Sequence, residues 1–441
     1  MIKEKKEALI YKTWILLFVV FSAAMMIVMP IVRIPDEHDH FRQAFIIADG
    51  QWLTSMTNRI VEYPEDISKF DNAEIKMTEL AELLKVDFSG KRVALEPRTS
   101  TAIYPPISYF PQAIGFKIAS LFTNKGLILA YSARIANWLC TFAVLFWALK
   151  KIPCYKSLMA FLTLLPMNLQ EIISISADGM TTAIVFALVA FVLDAIYRKE
   201  LFSATDYLTM GLLLLGIVCW KVMYFPMLFL LFLIPVECFS TKKRKRITVI
   251  STIVGGGVLL ALWGIACYAL LFRTAAVGTR ANTTVSVLAV FLNTPTDFLY
   301  KLLHTMQYNW ISYINEIFGK AMSWLNLFPD IRLVYASMGL CVMFVIADNP
   351  MELDVKTRFG ILVPSCFCIL IVFLLLYVWW TPIESAMIAG IQGRYFIPLL
   401  LGVLISVKPS KAIGNQLIPI LYAATCFIDF CFIVEVFNFT F

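Results

Sequence analysis

Long apolar runs separated by short polar stretches recur along this chain. They fall near residues 13–32, 127–149, 157–173, 179–197, 206–220, 222–239, 247–272, 331–347, 359–380, 395–407 and 413–436. A helix needs about 20 apolar residues to cross a hydrocarbon layer of about 30 Å. None of the runs alternates with the period of two that a transmembrane strand requires, which excludes a β-barrel. The pattern predicts an all-α polytopic membrane protein, a single integral membrane domain over 1–441 with about eleven spans.

Two stretches break the rhythm. Residues 33–126 read as a large first external loop carrying interfacial helices, and 273–330 as a second external or interfacial segment. Within the first, Ile107–Phe122 is apolar enough to span but is interrupted by Pro111 and Lys117. It is therefore expected to be amphipathic or re-entrant, packed on protein. In the second, Tyr308, Trp310, Tyr313 and Trp324 suit a membrane–water boundary, and a spanning hairpin there stays open.

Composition agrees with the pattern. The chain is 60% hydrophobic and only 15% charged, with mean hydropathy +0.78, against about 25% charged residues in soluble domains. Its ten cysteines lie in or beside apolar runs and form no CxxC pair, which favours small buried hydrophobes over disulfides or zinc ligands. The net charge of +7 comes from short basic loops, a topology signal and not a nucleic-acid footprint. Those clusters (the first 12 residues, Lys150/Lys151/Lys156, Arg198/Lys199, the KKRKR run at 242–246, Lys356/Arg358 and Lys408/Lys411) predict a cytoplasmic N-terminus. The first run is too long for a signal-peptide core and reads as an uncleaved span. Residues 33–104 hold 13 acids against 9 bases, which suits the outer side of the cell membrane.

The densest polar cluster, RIPDEHDHFRQAF at 33–45, follows the first span. One reading is a helix start: a proline, acids in the first turn, and a stripe of Phe41, Ala44, Phe45 and Ala48 facing the bilayer. The other is chemical. Asp36, Asp39/His40 and Gln43 share a face at helical spacing, and carboxylates at a membrane boundary can act as a base or hold a cation. Spacing alone leaves both open. His38 and His40 point apart on a helix and read as polar neighbours.

Four more charges fall at the expected outer ends of spans: Asp178 in SISADGM, Lys221 in CWKVMYFP, Arg394 in GIQGRYFIP and Arg134 in YSARIANW. Asp178 has a helix-cap alternative. Lys221 runs against the positive-inside bias, and Arg394 sits beside Gly390 and Gly393. An arginine in such a place pairs with an acid or a phosphate, and the gathering of Arg394 and Lys221 on the face that holds the acids favours a functional role over local ion pairing. Asp194 and Glu237 lie near cytoplasmic ends, where solvent or ion pairs account for them. Asp429 is deep in the last run.

PDEHDHFRQAF and GIQGRYFIPLL, with YPPISYFPQAIG, SARIANW, LLPMNLQEIISISADGM and PTDFLYKLLHTM in order between them, resemble a bacterial polytopic membrane family catalogued as domain of unknown function 2142. That family is similar in layout to the C-type glycosyltransferase superfamily. The resemblance implies a sugar taken from a polyprenyl-phosphate or -pyrophosphate donor on the outer leaflet and passed to a cell-envelope glycan, lipid or polymer. By position, Asp36 with Glu37 takes the place of the acidic catalytic motif. Arg394 and Lys221, then Arg134, are the expected phosphate holders. His40, Asp178, Gln392 and Tyr395 are expected on the acceptor side or in support. No cofactor is required; a divalent metal, if one binds, is expected at Asp36, Glu37 or His40. Two rivals stand beside this reading: a transporter or flippase of a lipid-linked or anionic substrate, and a non-catalytic envelope-assembly protein.

Overall fold

The computed structural model describes residues 2–53, 60–97, 99–267, 293–349, 352–408 and 413–441. The expected segment at 273–330 lies outside the described residues up to 292, as does the end of the 247–272 run.

The chain is a mostly helical membrane protein. Six helices among the described residues are long and apolar enough to span: Leu9–Val28 of α1 (Ile2–Val28), Gly126–Lys151, Asp178–Arg198, Lys242–Ala266, Val355–Trp379 and Ile418–Thr440. Ala204–Trp220, Val222–Leu233, Ile331–Ala347 and Gly393–Val407 are shorter apolar helices. Burial sorts the long ones. Asp178–Arg198 is 94% buried in its most apolar window and Lys242–Ala266 only 11%, so the first forms the axis and the second offers its apolar surface outward.

After α1 the chain enters α2 (Glu37–Ala48), the antiparallel pair β1 (Val61–Pro64) and β2 (Arg92–Leu95), and α3 (Phe110–Ser120). The Phe41–Phe45 stripe of α2 does not face the bilayer. Both rings are buried in a second core, with Phe41 5.2 Å from Phe70 and Phe45 5.5 Å from Phe116. An amphipathic repeat specifies an apolar face but not what covers it, and here the loop's own aromatics do. Arg92 closes the unit by holding Asp49 at 2.6 Å. Helix α3 buries Gln112, Ala113 and Phe116 and exposes Phe110, Ile114, Ile118 and Leu121, as an amphipathic helix laid against α4 (Gly126–Lys151) should.

The 157–173 run is two short helices, α5 (Lys156–Leu164) and α6 (Pro166–Ile173), broken where Leu165 is extended before Pro166. Proline lacks the N–H and disfavours helix in the residue before it. Asn168 donates to the Leu162 carbonyl at 3.0 Å, satisfying backbone that the break frees. Helices α7 (Asp178–Arg198) and α8 (Ala204–Trp220) follow, then a 3₁₀ segment, Val222–Leu233, containing Pro226 where a regular span was expected. The rest is α9 (Lys242–Ala266), α10 (Pro295–Ile317), α11 (Ile331–Ala347), α12 (Val355–Trp379), α13 (Ile397–Val407) and α14 (Ile418–Thr440). Asp194, at the far end of α7, is paired with Lys151 at 2.7 Å and Arg198 at 2.9 Å.

Candidate functional site

Where α7 begins and α8 ends, two glycines let chain segments approach closely enough to gather charge. A Cβ on Gly179 would lie 2.5 Å from Ile172 Cα, so only glycine lets α7 start against α6, beside Glu171. A Cβ on Gly393 would lie 2.5 Å from Glu316 Cβ and from the Tyr313 carbonyl. That contact, with the Gly393 amide donating to Glu316 at 2.8 Å, lays Gly393–Phe396 along α10 and turns Arg394 inward.

Arg394 is the hub. Its side chain is 3% exposed and meets Asp36 at 2.7 Å, Asp178 at 3.4 Å and Glu171 at 3.5 Å. Lys221, in extended backbone between α8 and the 3₁₀ segment, pairs with Asp178 from the other side. The Tyr395 ring receives both cations, Lys221 Nζ at 5.3 Å and the Arg394 guanidinium at 5.4 Å. Three carboxylates therefore surround two buried cations, an arrangement in which removing Arg394 or Lys221 costs far more than removing a surface charge.

Asp36 stands at the N-cap position of α2, in left-handed backbone with φ 63°, yet its side chain makes no capping hydrogen bond. The carboxylate goes to Arg394 instead. Burial raises its pKa, but the adjacent guanidinium outweighs that and holds it below the usual carboxylate range. Asp178 likewise is not a cap; Ala177 occupies that position.

Glu37 and Arg134 do not join this group. They form a sealed bidentate pair at 2.6 and 2.7 Å with neither side chain exposed. Glu37 also accepts from the Ile175 amide at 3.0 Å, and Arg134 donates to the Met29 and Pro30 carbonyls at 2.8 Å. With its oxygens committed there, Glu37 is not available to a substrate, and Arg134 is not available to a phosphate. The expected metal trio of Asp36, Glu37 and His40 does not converge either. Among the described residues no three His, Cys, Asp or Glu side chains form a metal-binding group.

His40 shares a 2.7 Å hydrogen bond with the Tyr109 hydroxyl, and His38 sits 5.2 Å from the Trp324 ring. Burial drives the His40 pKa down to about 4, against the pull of Asp178 and Asp36, so it is neutral near pH 7. The unfolded chain then binds the extra proton first. This contribution to stability is complete above about pH 6.5 and is lost as pH falls toward 4, up to about 3 kcal/mol. Thermal melting of wild type should fall more steeply over that window than melting of His40→Gln; parallel curves would refute a buried neutral histidine.

Glu171 and Glu316 were not singled out by spacing, although Glu171 is a lone acid in the apolar stretch LLPMNLQEIISIS, a pattern that itself marks a buried ionisable group. Glu171 is 2% exposed, and its contacts to Arg394 and to Gln170, at 3.5 and 3.4 Å, are both long. With Pro35, Glu316, Gln392 and Arg394 it lines a cleft of about 10 Å³, room for about one water.

No curated protein and no solved structure matches this chain. One family does, described as a predicted membrane protein (DUF2142), and its profile aligns with residues 17–403. That match takes in the second half of α1, the Asp36 loop, Glu171, Asp178, Lys221 and Arg394, so the chain belongs to the DUF2142 family of membrane proteins.

Proposed function

We propose that this chain is a membrane glycosyltransferase of the C-type architecture, moving a sugar from a polyprenyl-phosphate carrier to a cell-envelope acceptor at the outer face of the plasma membrane. The observation that carries the reading is the unequal exposure of one ion pair: Asp36 is 52% exposed and Arg394 3%. In a buried charge cluster, that makes Asp36 the exchangeable partner.

A donor phosphate entering at the mouth competes with Asp36 for Arg394, with Lys221 as the second cation. Arginine's planar fork suits two phosphate oxygens. Once the phosphate takes the guanidinium, the restraint on Asp36 basicity is relieved. Asp36 then takes the proton of the acceptor hydroxyl as its oxygen bonds to the anomeric carbon. The bond from that carbon to the phosphate oxygen breaks, and the electron pair leaves with polyprenyl phosphate. Fixed cations at a developing oxyanion contribute roughly 3–4 kcal/mol per donor in comparable sites. Glu37 and Arg134 act here as positioning residues, fixing the start of α2 against α4.

The test is consumption of radiolabelled polyprenyl-phosphate sugars by purified protein with envelope extract as acceptor. One donor should be consumed, and Arg394→Lys should slow its use while the protein still folds. A full panel left untouched, with no binding of polyprenyl phosphate, would overturn the reading. One observation favours transport instead. Asp429, in the middle of α14, is 3% exposed and carries an oxygen with no hydrogen-bond partner.

A further inference from the structure

The cleft on the Glu171 side of Arg394 is separate from the Asp36 contact and has its own unmet chemistry. Arg394 Nε is buried without an acceptor, and Gln392 Oε1 is buried without a donor. Both residues line the cleft, as do Glu171, on two long contacts, and Glu316. Buried polar atoms left unpaired are costly, so a cleft holding an unpaired donor and an unpaired acceptor is built to be filled.

We propose that this cleft is the acceptor subsite and that it takes a neutral polyhydroxylated headgroup; the word acceptor rests on the glycosyltransferase reading above. A hydroxyl both donates and accepts. It can receive from Arg394 Nε while its neighbours donate to Glu171, Glu316 and Gln392. An anionic headgroup meets two carboxylates there, and a cationic one meets Arg394. An apolar chain leaves Arg394 Nε and Gln392 Oε1 unpaired.

A turn that lines the cleft supplies two further features. Ala321 and Leu325 line the cleft from a turn in which two non-glycine residues, Ser323 and Leu325, have positive φ of 56° and 60°. Such backbone is strained and gathers at ligand clamps. Between them Trp324 is half-buried, with His38 on one side. Trp324 does not itself line the cleft, but it precedes the lining residue Leu325, and an indole there can offer the apolar face on which the C–H side of a pyranose ring rests once the turn moves. Displacement of this turn is what enlarges the cleft from one water to a sugar ring.

The experiment uses the full chain in lipid nanodiscs, since sugar-headed detergents would compete. Saturation-transfer NMR is run with neutral methyl hexopyranosides and N-acetylhexosaminides, and with glucose 6-phosphate as the anionic counterpart. At least one neutral glycoside should receive saturation, and the phosphorylated sugar should receive less. Glu171→Gln and the turn variant Trp324→Ala should each weaken the neutral signal by about five-fold, the loss of one hydrogen bond or its equivalent in contact. If Glu171→Gln fails to fold, Trp324→Ala decides alone. No neutral probe bound, equal binding of the phosphorylated sugar, or unchanged signals in the folded variants would each overturn the subsite. Stabilisation of the wild type by polyprenyl phosphate, measured separately, reports on the donor side. If it fails while the glycosides bind, the transferase reading falls and the sugar cleft stands.

Discussion

Replacing Arg134 with alanine should cost about 3–5 kcal/mol of stability, the range for removing one partner of a buried ion pair. The substitution leaves the fully buried Glu37 carboxylate with only the Ile175 amide and strips donors from the Met29 and Pro30 carbonyls. Arg134→Lys should recover only part of the loss, because an ammonium cannot span both Glu37 oxygens as the guanidinium fork does. Thermal unfolding in nanodiscs, alongside folded yield, is the measurement. A cost below about 1 kcal/mol for Arg134→Ala, the scale of an exposed pair, would mean that water reaches the pair.

Asp36→Asn should behave in the opposite way. Asparagine keeps the shape and can still accept a hydrogen bond from Arg394, which also retains Glu171 and Asp178. Asp36 is half-exposed, so the stability change should stay within about 1 kcal/mol. Turnover of a lipid-linked sugar should fall by at least about 10²-fold, because an amide cannot take the acceptor's proton. Normal turnover by the folded variant would leave Asp36 as a counter-ion to Arg394 and remove the base from the proposed mechanism. Loss of both turnover and fold would place Asp36 with Glu37 and Arg134 as architecture.

Local signals carried much of the fold. Apolar run lengths located the long helices, and the bounds of Ile331–Ala347 agree residue for residue with the expected run. Pro166 and Pro226 were visible in the sequence, but whether a proline breaks a span or only bends it depends on what satisfies the freed backbone. The α2 stripe was visible too, though not its direction, because the aromatics that cover it lie up to 75 residues away, at Phe116. The candidate site was legible to the extent that it departs from membrane composition. Asp36, Asp178, Lys221 and Arg394 stood out as charges against apolar surroundings, and their side chains meet. The pairing of Glu37 with Arg134 was not legible, since 97 residues separate them and nothing local distinguishes a structural arginine from a ligand-binding one. Glu171 carried the same signal, as a lone acid in a greasy stretch, but no spacing tied it to Arg394, 223 residues away.

The water-sized cleft beside Arg394 has a kinetic consequence. A sugar ring cannot enter the arrangement described, so under the proposed subsite a binding-competent form would be a minor population at rest. The affinity measured for any sugar is then weaker than the intrinsic one by the fraction of chains that are open. Relaxing Ser323, which has positive φ but does not line the cleft, with a residue that tolerates that conformation would change that fraction while leaving the lining side chains in place. Tightness of binding in this protein would then be inherited in part from the strain of one short turn.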